Sequence, residues 1–180
     1  MVKKEHMKIL HSSKSMEWET PDYIFNKLNK EFNFTLDPCA TKDNAKCDKY
    51  YTMEDDGLTK DWSGEIVFIN PPYGMYDCRT SLVELWIKKA YEVSQDGTII
   101  VCLIPARTDT LYWHNYIFPY AAQIRFIKRR IKFRRDGVLD SAPFPSAVIV
   151  FNQELWQYRV PENSLHHIKQ CVSTEFKLGV

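Results

Sequence analysis

The sequence predicts a single α/β domain with a mostly parallel, doubly wound sheet, and three observations predict it. Two runs, Ile66-Val67-Phe68-Ile69 and Thr98-Ile99-Ile100-Val101-Cys102-Leu103-Ile104, are almost continuously apolar, as strands buried on both faces are. The segment between them has helical periodicity, and strand, helix, strand at this spacing gives a parallel pair with a right-handed crossover. Each strand then stops at proline, Pro71-Pro72 and Pro105, because proline cannot donate to a ladder. The residues after each stop therefore lie at the carboxyl edge of the sheet, where open α/β sheets place their ligands.

Composition sets the outer bounds. A chain of 180 residues, 44% hydrophobic and 26% charged, suits one soluble domain with a real core. The expected division is an arm over 1–17, the domain over 18–152 and a tail over 153–180. No apolar run approaches the roughly 20 residues of a membrane helix. Met1-Val2-Lys3-Lys4-Glu5-His6 lacks the apolar stretch of a secretory signal, so a cytoplasmic protein is expected. The five cysteines, at 39, 47, 78, 102 and 171, form no Cys-x-x-Cys pair. Reduced thiols are expected, with neither disulfides nor a metal site. A net charge of +1 leaves nucleic acid undecided until the distribution of charge is read.

Taken in order, residues 1–17 are polar and without period. Thr20-Pro21-Asp22 predicts a helix start, with Thr20 as N-cap and Pro21 first in the helix; Ile24, Phe25 and Leu28 form its buried stripe. Residues 32–36 alternate apolar and polar, predicting a first strand that ends at Asp37. Pro38-Cys39-Ala40 is then a tight, small-residue turn, though without the glycines that let a backbone approach a ligand. Asp37 suits a ligand's ammonium or hydroxyls, or an ordinary strand-end turn. Residues 41–59 are turn-rich, with a short second strand near Tyr50-Tyr51-Thr52 and a turn at Asp56-Gly57.

Residues 74–80 form a loop beside the first proline stop. Ser81-Leu82-Val83-Glu84 has the form of a capping box. Its helix runs through Leu85, Trp86, Ala90 and Val93, with a Glu84–Lys88 pair, to Gly97. After Pro105, Thr108 or Asp109 caps a helix over 111–118. Arg107 there suits a phosphate or carboxylate, with Asp109 to orient it, while Trp113 and His114 suit core or rim. Seven of the eleven residues 125–135 are basic, with Phe126, Ile131 and Phe133 as apolar anchors. A hairpin or strand pair would turn this basic face outward toward phosphates; a solvated charge run is the other reading. Residues 136–145 predict a loop that brings Phe144 over the site. Residues 147–151 are the last strand, and a tail helix lies near 162–171, where His166-His167 has no metal-ligand spacing.

The first proline stop also carries chemistry. The Asn70 side-chain oxygen and the Pro71 carbonyl are two acceptors that can meet the two hydrogens of a planar amino group. They favour a tetrahedral nitrogen and stabilise the positive charge that develops as the amine attacks an electrophile. Where that amine is carried on a planar base such as adenine, Tyr73 is the ring expected to stack on it, worth roughly 1–3 kcal/mol.

Asn70-Pro71-Pro72-Tyr73 resembles the catalytic motif of amino methyltransferases that use S-adenosylmethionine. Trp18-Glu19-Thr20-Pro21, Leu36-Asp37-Pro38-Cys39-Ala40, Asp56-Gly57-Leu58 with Trp62, Pro105-Ala106-Arg107-Thr108-Asp109-Thr110 and Ala142-Pro143-Phe144-Pro145-Ser146 extend the likeness, in order, over 18–151. Together they resemble the phage-type DNA N-6-adenine methyltransferase (Dam-like) family. The resemblance implies a Rossmann-like methyltransferase domain, S-adenosylmethionine as cofactor, double-stranded DNA as partner and methyl transfer to N6 of a flipped adenine. It implies catalytic roles for Asn70, Pro71, Pro72 and Tyr73. Thr20 and Pro21 are placed at the cofactor's methionine end and Asp56 near its adenosine, with Glu54 and Asp55 as rivals. Asp37, Pro38, Cys39, Ala40 and Asn70 complete the cofactor set. Arg107, Lys128, Arg129, Arg130, Lys132, Arg134 and Arg135 are the expected DNA contacts. Little chain remains for a target-recognition domain, so specificity is short and local, or a second subunit helps a monomer or homodimer. Cytosine, RNA adenine or protein glutamine as acceptor, or a non-catalytic DNA-binding protein on this scaffold, are the alternatives.

Overall fold

The computed structural model describes residues 18–135 and 138–157. The two apolar runs become β3 (Ile66–Ile69) and β4 (Ile99–Pro105), paired in parallel from Ile66 opposite Ile99 to Ile69 opposite Cys102. Outside β3 lie β1 (Leu36–Asp37) and β2 (Lys49–Tyr50), both parallel to their neighbours. On the other side, β8 (Ser146–Phe151) inserts antiparallel between β4 and β5 (Gln123–Phe126). The sheet order is β2-β1-β3-β4-β8-β5, and β8 alone runs against the other five strands. This is the mostly parallel sheet the sequence predicts.

Successive strand residues point to opposite faces, and Val67, Phe68 and Ile69 are all buried. Phe68 meets Phe25 of α1 (Asp22–Phe32) edge-on at 5.2 Å. α2 (Leu82–Ser94) buries Leu82, Val83, Trp86, Ile87 and Ala90, the stripe expected of a crossover helix. Ser81 caps it as predicted, its Oγ accepting from the Glu84 N–H at 3.1 Å. The predicted Glu84–Lys88 pair does not form; Lys88 instead reaches Glu92 at 3.8 Å, one turn further on.

Four boundaries differ from expectation. α1 starts one residue late: Pro21 is the cap, and its carbonyl receives the Ile24 and Phe25 N–H groups, so Thr20 is buried and does not cap the helix. α1 also runs through Phe32, where Asn33 at φ 56° ends it, so only Leu36 and Asp37 remain for β1. An i, i+2 pair of phenylalanines serves a helix end as well as a strand. The predicted helix over 111–118 contains a π-helical turn, Trp113–Ile117, that runs into α3 (Phe118–Tyr120). It is entered by Thr110, whose Oγ donates to the Arg107 carbonyl, and neither Thr108 nor Asp109 caps it. The predicted loop over 136–145 contains a strand: β6 (Lys132–Arg135) and β7 (Val138–Ser141) pair as a separate antiparallel hairpin. A short helix α4 (Gln153–Gln157) follows β8. The predicted tail helix and His166-His167 lie outside the described residues.

Candidate active site

A cleft opens along the carboxyl ends of β1 and β3, with about 900 Å3 of space continuous with solvent. Seven of the eight residues expected around a cofactor line it: Thr20, Asp37, Pro38, Cys39, Ala40, Asp56 and Asn70. Pro71 and Pro72 line it as well, whereas Pro21, spent on capping α1, does not. Of the three acids in question, Asp56 reaches the cleft; Asp55 instead ties back to the Thr52 N–H and Oγ, both at 2.9 Å.

Asp37 is fixed from behind. The Lys46 and Cys39 N–H groups donate to its two carboxylate oxygens at 3.2 and 3.4 Å. Burial outweighs those donors and pushes its pKa up to about 6. The turn after it is clipped to β2, with the Ala40 N–H on the Tyr51 carbonyl and the Tyr51 N–H on the Asp37 carbonyl. Burial also raises the Cys39 thiol, which stays protonated and donates to the Asn70 backbone carbonyl at 3.3 Å.

The glycine-free turn finds its glycine elsewhere. Gly57, in the 3-10 turn Gly57–Thr59, lies so close beneath Pro38 that a Cβ there would sit 2.0 Å from the Pro38 carbonyl oxygen. Trp62 locks this contact by donating from Nε1 to the Gly57 carbonyl at 3.0 Å, and it stacks on Trp86. Trp86, Leu58 and Phe68 are apolar members of the lining that also holds Asp37 and Asp56. The buried Trp86 Nε1 has no acceptor among the described residues. Sequence reasoning assigned Trp86 to a helix core and Gly57 to a turn; both assignments hold locally and miss that the two meet at the cleft.

Asn70 is held from two sides. Its Nδ2 donates to the Trp18 backbone carbonyl at 2.5 Å, and its Oδ1 accepts from the Tyr73 hydroxyl at 2.8 Å. A carbonyl needs a donor opposite it, so this partner fixes which way the amide faces. One lone pair of Oδ1 is then left over. The Tyr73 ring is buried, meets Phe144 at 5.3 Å in a T-shaped contact and lies outside the residues that line the cleft. Burial raises the pKa of its hydroxyl, which remains a donor to Asn70. Phe144, expected over the site, packs behind it.

The basic stretch divides. Arg125 in β5 is buried, makes a two-pronged ion pair with Glu31 of α1 and lies over the Phe32 ring at 5.4 Å. Phe133 and Ile131 are buried as anchors, while Phe126 is exposed. Lys128, Arg129, Arg130, Lys132 and Arg134 are exposed on the hairpin and the turn that leads to it, where Arg129 takes φ 67°. Arg107 is exposed just beyond the end of β4, and its backbone carbonyl accepts from the Thr110 hydroxyl at 2.8 Å. Arg135 closes β6 opposite Val138.

Comparison with known proteins adds to this geometry. The family description that matches is DNA N-6-adenine-methyltransferase (Dam), over residues 8–173. A protein of Escherichia coli (strain K12) named as a methyltransferase, YfdM, is 47% identical over 64 residues, which is 32% of this chain and 70% of that protein. A DNA N-6-adenine-methyltransferase of Escherichia phage T1 is 30% identical over 122 residues, 67% of this chain but only 48% of the phage protein. Among solved structures, a Listeria monocytogenes protein assigned to the class I S-adenosylmethionine-dependent methyltransferases aligns with a TM-score of 0.50 at 14% identity, covering 74% of this chain and 60% of that one. At that identity the likeness is one of fold.

Proposed function

The chain belongs to the DNA N-6-adenine-methyltransferase (Dam) family, and from that membership we propose that it transfers a methyl group from S-adenosylmethionine to N6 of adenine in double-stranded DNA. One observation carries the reading: the Asn70-Pro71 acceptor pair and the Asp37–Ala40 turn share one cleft.

The residues present fit the cofactor's chemistry. Asp37 is a carboxylate awaiting a cation, Asp56 an acceptor for hydroxyls, and Trp86 and Phe68 an apolar seat with an indole N–H that has no acceptor among the described residues. S-adenosylmethionine, when bound, supplies an electrophilic methyl group. The free lone pair of Asn70 Oδ1 and the Pro71 carbonyl accept the two hydrogens of the target amine and stabilise its developing positive charge. The amine, once methylated, would give its surplus proton to water, with the cofactor's neutral thioether as leaving group, so no dedicated base is called for. Tyr73 supports Asn70 from behind and takes no part in stacking.

A base inside a duplex cannot reach this cleft, so the target is flipped. The exposed arginines and lysines of the β6–β7 hairpin, with Arg107, carry the phosphates. The enzyme acts in the cytoplasm, that of the host cell if it is phage-encoded, as a monomer or homodimer whose specificity is short and local or is completed by a second subunit. Incubation with methyl-labelled cofactor and mixed-sequence duplex, followed by nucleoside mass spectrometry, is the test. Label in N-6-methyladenine is expected. Label in a cytosine product keeps the mechanism and overturns the base, and no label overturns the reading.

A further inference from the structure

The residues at positions 18 and 19 do more than line the cleft. The Trp18 carbonyl is the acceptor that orients Asn70, at 2.5 Å from Nδ2. The next residue, Glu19, forms an antiparallel bridge to Arg134 of β6, with N–H to carbonyl distances of 3.1 and 3.4 Å in the two directions. The Trp18 ring wedges edge-on between Phe133 of β6 at 5.7 Å and Phe144 at 5.8 Å. Phe144 in turn backs Tyr73, the other partner of Asn70. Phe133 is fully buried and lies outside the cleft lining. Both hydrogen bonds to the Asn70 amide therefore trace back to the hairpin that bears the exposed cations, the Trp18 bond in one contact and the Tyr73 bond in three, through Phe144, Trp18 and Phe133.

We infer that Trp18-Glu19 is a positioning strap: it makes the orientation of the Asn70 amide depend on the seating of the basic hairpin, so that phosphate contact and amine capture are one coupled event. Trp18 touches neither reacting atom in this role; it acts through Asn70. The inference rests on the methyltransferase reading for its kinetic consequence, though not for the coupling itself.

Phe133→Leu removes the ring that wedges Trp18 while leaving every cleft residue and every exposed cation in place. Its single-turnover methylation rate at saturating DNA and cofactor is expected to fall about tenfold or more, as small misplacements of a reacting group do. Cofactor Kd should stay within about twofold and the salt slope of DNA binding should persist. In the nitrogen-correlated NMR spectrum of the substrate-free protein, one Asn70 side-chain amide proton, identified by its absence in Asn70→Ser, should lose its slow exchange. Phe133→Met, closer in volume, carries the same test should the leucine variant not fold. A rate equal to wild type with the amide proton still protected overturns the strap. A rate that falls in step with cofactor affinity also overturns it. Wild-type protein that methylates no adenine overturns the reading of function instead, and the amide measurement, which needs no substrate, then still decides the coupling.

Discussion

Asn70 has four polar valences to satisfy, and the fold satisfies them unequally. Trp18 and Tyr73 take one each and leave an acceptor lone pair toward the cleft. Asn70→Ala should therefore lower turnover by about 10²–10³-fold, the usual cost of removing a donor or acceptor that meets developing charge. Cofactor Kd by calorimetry should change by less than about threefold, because the interaction is made with the amine. Asp37 supplies a second test. Its pKa in the folded protein, about 6, lies above the ordinary carboxylate value of 3.8, so burial penalises the ionised form. This group therefore costs stability above pH 6, and the cost is relieved as pH falls from about 6 toward 4. A cation bound beside it reverses that preference, so binding should release a proton near pH 6, and affinity should fall on acidification through that window. Calorimetry in buffers of unequal ionisation enthalpy measures the released proton, and Asp37→Asn should abolish it. The place of Asn70 at the cleft was legible from sequence because it follows the apolar run of β3, and that of Asp37 because a turn of proline and small residues follows it. The inward turn of Tyr73 was not, because stacking on a ligand and packing on Phe144 call for the same ring.

At the level of elements, the site is two turns pressed together. Pro38-Cys39-Ala40 lacks glycine, and the close approach is granted by Gly57 from below. Gly57→Ala places a methyl 2.0 Å from the Pro38 oxygen, and backbone has little room to yield. Overpacking of this kind costs about 1–3 kcal/mol, read as a lower thermal midpoint. Because the displaced atom belongs to the turn after Asp37, cofactor affinity should drop about tenfold or more with it, a loss measurable by titration. The sequence showed β3, α2 and β4 with nearly their true bounds, since long apolar runs and a capping serine are local signals. It showed β1 poorly, because Phe32 and Phe34 end a helix here with the spacing of a strand. β7 was hidden among turn formers, and its pairing with β6 is a tertiary fact.

Across the whole molecule, a near-neutral chain carries its positive charge unevenly. Within the basic stretch, setting Arg125 aside because Glu31 neutralises it leaves Lys128, Arg129, Arg130, Lys132 and Arg134 exposed on one hairpin and its leading turn. Replacing Arg129, Arg130 and Arg134 by Ala should weaken duplex binding and flatten its dependence on salt. The loss is expected to be about 0.9 in the slope of log K against log salt for each phosphate contact removed; an unchanged slope in a fluorescence titration would take the hairpin out of the interface. The placement of β8 has a consequence for how the chain comes into being. β4 and β5 are made first, yet neither pairs with the other; both wait for residues 146–151 to arrive between them. During synthesis the growing chain therefore displays two unpaired strand edges at once, one of them the fully apolar β4. Only when Phe151 has cleared the ribosome can the sheet become continuous, so the half that binds and the half that closes the sheet mature in that order. A nascent chain stalled before Ser146 would expose both edges as a template for aggregation.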